Sequence, residues 1–520
     1  MSNIIETVIE TVTSVNDSIN GFVWLTIGLW LLIGTGIIMS IVTGFFQVTH
    51  VRHWMQKTIG SVFKKSSHNK NEAGSVSQFQ ALCTALAATI GTGNIAGVAA
   101  AIVLGGPGAV FWMWVAAFFG MMTNYSENIL GIFFRRKNKD GEWSGGAMYY
   151  LQDGLGGKEK PKALQVTGRI LAILFACCAM LASFGIGNMG QINKIVMNVD
   201  SAFFAKYKIP PLFGFIPTVP LAMGIIIMVI AGLIIIGGLK RIALVEETVV
   251  PFMAGLYILG AVVIICIHFG SIVPAFLSIF KFAFGAKAVA GGAAGAMLKS
   301  AITQGCKRGV FSNEAGLGSS VMVHSNSDVK EPIKQGLWGI FEVFFDTIVV
   351  CSLTALVVLT SGFIDLETGL FIETDGVYDA NLVAKAFGNM FGAPGEWFIA
   401  VAIFLFAFTT VLGWSHYGGK AIEYLINEKA VVVFRVIFVC FMIVGALATS
   451  SLAWDISDTF NGLMMLPNLI GVLVLSPQVM RCTKNYVERK LHNKKEKPML
   501  SMIPEVQEVQ EAALNTDGDD

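Results

Sequence analysis

Charge is scarce in this 520-residue chain: Asp, Glu, Lys and Arg make up 14% of it, against 54% hydrophobic residues, and mean hydropathy is +0.67. Soluble domains carry about a quarter charged residues, so the balance excludes a soluble enzyme and implies a polytopic membrane protein. Cysteine occurs eight times, but Cys83, Cys177, Cys178, Cys266, Cys306, Cys351 and Cys440 lie inside apolar stretches and only Cys482 adjoins a basic one. They read as small buried hydrophobes with no disulfide framework. The segment 1–20 holds Glu6, Glu10 and Asp17 and no Lys or Arg. Lacking a basic n-region, it is expected to stay on the mature protein as an external N-terminal segment. No basic aromatic surface points to nucleic acid as a partner. No His/Glu metal cluster, Cys/His pair or nucleophile elbow supports an enzyme. Gly418-Gly419-Lys420-Ala421 lacks the Ser/Thr after Lys and the glycine spacing of a phosphate loop, so ATP-driven transport finds no support.

What the chain does have is an uncharged run, 78–104, long enough to cross a bilayer but reading Gly91-Thr92-Gly93-Asn94-Ile95-Ala96-Gly97 at its centre. Glycine costs about 1 kcal/mol relative to alanine in a helix interior, and Thr and Asn compete for backbone hydrogen bonds, so this centre favours local unwinding. Unwound backbone at membrane depth has to face a cavity or a ligand. One reading is a discontinuous helix whose freed amides and carbonyls bind a small ion and a carboxylate at the midplane. The other is a glycine seam for close helix packing. A second copy favours the first reading: Asn313-Glu314-Ala315-Gly316 repeats the Asn-x-Ala-Gly of Asn94 to Gly97. Each copy leads through a proline, Pro107 or Pro332, into an aromatic helix, with Trp112 before Phe118-Phe119 and Trp338 before Phe344-Phe345 at the same spacing. Paired interrupted segments in matching halves point to a transporter binding site.

Loop charges set the direction of each span. Acids precede the span 21–48, and Arg52, Lys57, Lys64, Lys65 and Lys70 follow it, which places the N-terminus outside. Spans 78–104, the return to Arg135-Arg136-Lys137, 170–199, 221–239 and 248–269 then alternate, with Lys240-Arg241 inside. The stretch 271–292, with Pro274 and glycine clusters, reads as an external loop with a short helix, and the second interrupted segment 297–324 runs inward. Span 337–359 leads out to Asp365, Glu367, Glu373, Asp375 and Asp379; spans 397–418, 431–449 and 459–480 complete about eleven, ending in a basic cytoplasmic tail. The acidic stretch after Met502 is expected to be disordered. The predicted fold is all-α: an extra N-terminal helix and basic loop (21–77), a first five-helix repeat (78–270), an external loop and second repeat (271–480) and a cytoplasmic tail (481–520). Because the two broken helices point oppositely, the five-plus-five core is an inverted repeat.

Five ordered motifs resemble the bacterial and archaeal alanine/glycine:cation symporters: GTGNIAGVAAA (Gly91 to Ala101), GGPGAVFWMW (Gly105 to Trp114), SGGAMYYL (Ser144 to Leu151), FGIGNMGQ (Phe184 to Gln191) and RGVFSNEAGLGS (Arg308 to Ser319). Ala147 departs from the proline expected in the third motif, and it lies in a loop. The resemblance covers nearly the whole chain and implies a leucine-transporter-type fold in the plasma membrane, coupled to Na+. The unwound amides of Thr92 and Gly93 are candidates for the substrate carboxylate, and the Asn94 side-chain oxygen for a cation beside it. By resemblance, the Thr89 carbonyl joins that cation. Thr409 and Thr410, with the Ala87 and Ile90 carbonyls, match the second sodium position of the fold. Oxygen ligands of this kind suit hard cations, although Thr back-bonding to its own helix is common. Phe184, Asn188 and Gln191, at i, i+4 and i+7, would present an aromatic wall and two amides. Phe311 and Ser312 join the substrate set from the second break, and Trp414, one turn after Thr410, would close a pocket sized for alanine, glycine or serine.

Glu314, Glu342 and Asp346 are ionisable residues within spans and so need explaining. They are expected to pair with Lys307 or Arg308, the alternative being proton coupling. The reading as a whole is a sodium-coupled symporter for small neutral amino acids working in a lipid bilayer. A channel is the rival from another class, but a pore of carbonyl rings would need several subunits, and a single-chain inverted repeat argues against it.

Overall fold

The computed structural model of the protein describes residues 2–62, 75–204, 207, 209–212, 216–284, 293–374, 377–378, 381–448 and 452–516. Lys64, Lys65, Lys70, Asp375 and Asp379, and the glycines at 285, 291 and 292, used above to read loops, lie outside the described residues.

The described chain is mostly helical. Its one two-stranded sheet pairs Arg136–Lys137 with Trp143–Ser144 in antiparallel register. Seven helices are long and apolar enough to cross a membrane: α1 (Glu10–Val42), α5 (Lys162–Phe204), α6 (Thr218–Ile235), α7 (Gly238–Ile267), α11 (Pro332–Thr360), α12 (Ala393–Leu425) and α13 (Glu428–Leu447). Two bent pairs raise the number to nine: α2 (Gln78–Thr89) with α3 (Gly93–Gly105), bent by 53°, and α14 (Asp455–Val474) with α15 (Ser476–Lys490), bent by 57°. The remaining elements used here are α4 (Gly108–Phe133), α8 (Phe269–Ala283), α9 (Ala293–Asn313), α10 (Val321–His324) and α16 (Pro504–Thr516). α4 buries a polar run, Asn124 to Asn128, and α9 carries Lys299, Lys307 and Arg308; neither is among the apolar seven.

Burial orders the layers. The most apolar window of α12 is 78% buried, against 28% in α6 and 39% in α7 and α13, so α12 lies at the centre and the others at the rim. Leu233, Phe252, Leu259, Val432 and Val433 project from the rim helices and are exposed, as suits lipid-facing side chains. All eight cysteines are free, and Cys266 and Cys440 are on such exposed faces.

Local chemistry sets the helix starts. α2 opens on a capping box: Ser77 Oγ accepts from the Gln80 amide and Gln80 Oε1 from the Ser77 amide, both at 3.0 Å. Pro332 opens α11 at its first turn, where its missing N–H costs nothing. α4 and α11, which follow the two breaks, pack side by side so closely that a Cβ on Gly336 would meet Tyr125 and Ile129 at 2.9 Å. Only glycine permits that approach.

At the N-terminal end, helix Ser2–Gly21 continues through a π turn, Phe22–Gly28, into Leu29–Val42. One expectation about the C-terminal end is corrected. Of the stretch after Met502, Pro504–Thr516 is ordered as α16, because its polar groups find tertiary partners that composition does not reveal. Gln507 Oε1 accepts from the Leu500 and Ser501 amides at 2.8 and 3.0 Å, and Lys330 Nζ donates to the Ala513 carbonyl at 3.2 Å.

Candidate substrate and cation site

The first break occupies Ile90 to Thr92, between α2 and a π turn, Gly93–Gly97, that opens α3. Gly91 N–H turns to the Thr89 carbonyl (2.9 Å) and to Asn94 Oδ1 (3.0 Å). It therefore no longer serves the Ala87 carbonyl four residues back, as it would in a continuous helix. Thr410 Oγ1 on α12 donates to that carbonyl at 2.9 Å as well as to Phe406 O in its own helix. The freed carbonyl and the hydroxyl thus meet where the backbone unwinds. At the restart of the helix, the first amides have no intrahelical acceptor and carry the positive end of the dipole.

The second break is longer. α9 ends at Asn313, and the chain runs through left-handed conformations at Glu314 (φ 55°), Gly316 (φ 93°) and Gly318 (φ 75°) before α10. Glu314 tolerates this uncommon conformation because its surroundings hold it: its amide reaches Val310 O at 2.8 Å, Ser319 Oγ donates to its carboxylate, and Trp414 Nε1 donates to Oε1 at 3.1 Å.

A cavity of about 20 Å³ lies between the breaks, lined by Ala88, Thr89, Gly91, Gly93, Ile186, Gln191, Phe311, Glu314, Thr410, Trp414 and Asn461. That is room for about one water-sized body. Thr92 Oγ1 donates to Gln191 Oε1 in its wall at 3.2 Å. A larger depression along α1, at Glu10, Thr13, Ser14, Asp17 and Ser18, is an open surface remote from both breaks.

Beside the cavity, Asp346 joins the two breaks. Asn94 Nδ2 donates to its Oδ1 at 2.6 Å, and Ser312 Oγ and Thr347 Oγ1 donate to its Oδ2 at 2.8 and 2.9 Å. Asp346, Asn94 and Ser312 are fully buried.

The residues singled out from the sequence separate here. Gly93, Gln191, Phe311, Trp414, Thr89 and Thr410 line the cavity; Thr92, Ser312, Ala87, Ile90 and Asn94 belong to its surrounding framework. Phe184 and Asn188 do not line it: Phe184 packs on Phe434, Phe438 and Phe441, and Asn188 Nδ2 donates to Phe438 O at 2.6 Å, both toward α13. The cause is a π turn at Gly185–Met189, which adds a residue per turn and breaks the i, i+4, i+7 face assumed for a regular helix. Ile186 takes the wall position instead. The hydroxyls of Thr409 and Thr410 diverge, as neighbours about 100° apart on a helix must. Thr409 Oγ1 back-bonds to Leu405 and Phe406 and touches Met253 Sδ at 3.5 Å.

The expected ion pairs are also revised. Lys307 pairs with Asp458 at 2.9 Å, and Arg308 lies over the Phe311 ring at 6.0 Å. Glu342 meets His324 Nε2 at 2.9 Å and Asn124 Nδ2 at 3.0 Å. Asn461 and His324 carried no signal in the sequence beyond being polar residues in apolar segments, whereas Asp346 stood out as an acid in a span.

A sequence profile of the sodium:alanine symporter family matches residues 9–500. The chain belongs to the sodium:alanine symporter family. It is 42% identical over 475 residues to the sodium/alanine symporter AgcS of Methanococcus maripaludis, covering 91% of this chain and 97% of that protein. It is 33% identical over 473 residues to a protein of Bacillus subtilis named "Probable sodium/glutamine symporter GlnT", with 91% and 90% covered. In fold it is similar to a Na+-coupled sialic acid symporter solved in a substrate-bound outward-open state, with a TM-score of 0.50 and 12% identity over 93% of this chain and 95% of the other. This member of the family is therefore a multi-pass membrane transporter.

Proposed function

We propose that the chain is a sodium-coupled symporter that imports small neutral amino acids, alanine and glycine foremost, by alternating access. The observation that carries this reading is the meeting of Thr410 Oγ1 with the freed Ala87 carbonyl at 2.9 Å. Together with the Ile90 carbonyl it would offer a sodium ion neutral oxygens of the hardness such a cation takes, while Asn94 and the Thr89 carbonyl would hold a cation beside the substrate carboxylate. The Thr92 and Gly93 amides face the substrate carboxylate, and Asn94 with Asp346 couples that end to the second break. Ile186, Phe311 and Trp414 leave little room for a side chain, which favours alanine over leucine. The architecture proposed with it is about eleven spans, an extra N-terminal helix before a five-plus-five inverted repeat divided near residue 270. The N-terminus is outside and the C-terminus in the cytoplasm, in the plasma membrane.

The test is alanine accumulation in proteoliposomes. An inward sodium gradient at equal pH should drive uptake, and Thr410→Ala should abolish it. If Thr410→Ala keeps wild-type sodium dependence, this cation site is wrong.

Proton coupling is the second reading, favoured by one observation: Glu314 has hydroxyl and indole donors but no Lys or Arg hydrogen bond or ion pair among the described residues. Uptake driven by a pH gradient without sodium, and lost in Glu314→Gln, would establish it over the first.

A further inference from the structure

Within two turns of the Ala87–Thr410 contact, three helices carry buried oxygens that the site above does not use. Glu246 on α7 is fully buried, and neither of its carboxylate oxygens has a hydrogen-bond partner among the described residues. Thr84 on α2 lies beside the carboxyl without reaching hydrogen-bond geometry, and its Oγ1 is likewise unpartnered. Tyr417 on α12 is stacked edge-on against Trp414 at 5.4 Å, and its hydroxyl is also buried and unpartnered among the described residues. Thr84 is three residues before Ala87, and Tyr417 is seven after Thr410, with side chains that lean toward the N-terminal end of their helix. Gly91 meets Thr410 and Ala88 meets Gly413, so α2 and α12 run antiparallel here and Thr84 and Tyr417 fall level on one side of the Ala87–Thr410 contact.

The nearby charges do not answer Glu246. Glu247 takes its hydrogen bond from Gln80 Nε2 at 2.9 Å, Arg241 donates to Leu233 O at the exposed surface, and Lys420 is held by Glu423 and the Trp143 carbonyl. A buried carboxylate without a partner costs several kcal/mol, so it persists only where something supplies positive charge. A proton would neutralise the carboxyl and supply one O–H donor, which only one of the two hydroxyls could accept. A small hard cation collects several oxygens at once.

We propose that Glu246, Thr84 and Tyr417 form a second sodium stop, on the cytoplasmic side of the Ala87–Thr410 site, through which the coupling ion leaves. The direction of exit rests on the topology and coupling ion proposed above; the existence of the stop rests on the unpartnered oxygens. Its carboxylate gives a net charge that the neutral first site lacks, drawing the ion inward. Tyr417 against Trp414 places the stop in contact with the substrate cavity.

Equilibrium binding of radiolabelled sodium to the purified full-length protein tests this. Glu246→Gln should remove one class of bound sodium, or weaken it at least about ten-fold, while Glu246→Asp retains it. Thr410→Ala should remove the other class and leave this one, so loss with Glu246→Gln but not with Thr410→Ala would sink the first site and keep the stop. Should Glu246→Gln not elute as a folded species, Thr84→Val with Tyr417→Phe, which keeps the acid, must weaken the same class. Unchanged sodium stoichiometry and affinity in these variants overturns the proposal. So does unchanged sodium binding together with loss of a substrate-linked proton release, which would make Glu246 a proton carrier.

Discussion

Alanine at position 91 is the sharpest perturbation of the break. A Cβ there would sit 2.7 Å from Thr410 Oγ1, whereas ordinary contact begins at 3.4 Å. The backbone at Gly91 is outside the left-handed region, so the residue tolerates alanine conformationally and the strain falls on the hydroxyl. Thr410 must give way by about 0.7 Å, leaving a staggered rotamer at about 0.5–1.5 kcal/mol and loosening its bond to Ala87 O, worth about as much again. The sum, about 1–3 kcal/mol, corresponds to about a 5- to 150-fold loss of sodium affinity in an equilibrium binding assay. Removing the hydroxyl removes the clash, since the next contact, with Thr410 Cβ, is an ordinary 3.7 Å. Gly91→Ala should consequently add almost nothing in a Thr410→Ala background. Sodium binding by Gly91→Ala within two-fold of wild type, or full additivity of the two substitutions, would refute the argument that this contact belongs to the ion site.

Asp346→Asn should cost more than an exposed acid would: it weakens the charge-assisted bonds from Asn94 and Ser312, each worth about 1.5–3 kcal/mol, and lowered alanine-driven turnover with intact expression is the readout. Trimming Trp414 to Ala should let valine and leucine compete with alanine for uptake, because the freed volume admits a branched side chain; unchanged competition would remove Trp414 from the substrate wall. Lys307→Met should lower the melting temperature by leaving Asp458 without its cation, and Asp458→Asn in the same chain should restore most of the loss.

The breaks were legible because glycine, Thr and Asn in a membrane-length apolar run leave few alternatives, and Gly91 and Glu314 duly fall where each helix stops. Trp414, Phe311 and Gln191 reached the cavity for the same reason: each lies within a turn or two of a break or on a facing helix. Phe184 and Asn188 did not, because helical spacing assumes a regular 3.6-residue turn and the glycines at 185, 187 and 190 permit a π turn instead. Pairing of charges was read least well. Proximity in sequence suggested Lys307 for Glu314, yet the helix ends between them and Glu314 turns into a left-handed conformation, leaving Lys307 facing α14. Order after Met502 was invisible for a related reason: its partners, Leu500, Ser501 and Lys330, are backbone groups and a distant side chain, and composition records neither.

The geometry also constrains what has to move. A cavity of about 20 Å³ admits an ion or a water but not an amino acid, so loading requires wall residues to separate. α12 is the most buried apolar span and touches both breaks, through Thr410 to Ala87 and through Trp414 to Glu314. Gly187 packs against Trp414, where a Cβ would meet ring atom Cδ2 at 2.7 Å, so the indole cannot swing toward α5. The breaks themselves are better placed to shift: their backbone is already free of the helical ladder, and changing its dihedrals breaks few bonds. Asp346, fixed on α11, holds Asn94 just after one break and Ser312 just before the other, so displacing either loosens a bond to the same carboxylate. Under the proposed function, occupation of the first break would be coupled to the position of the second through one buried carboxylate, with α12 as the element against which they move.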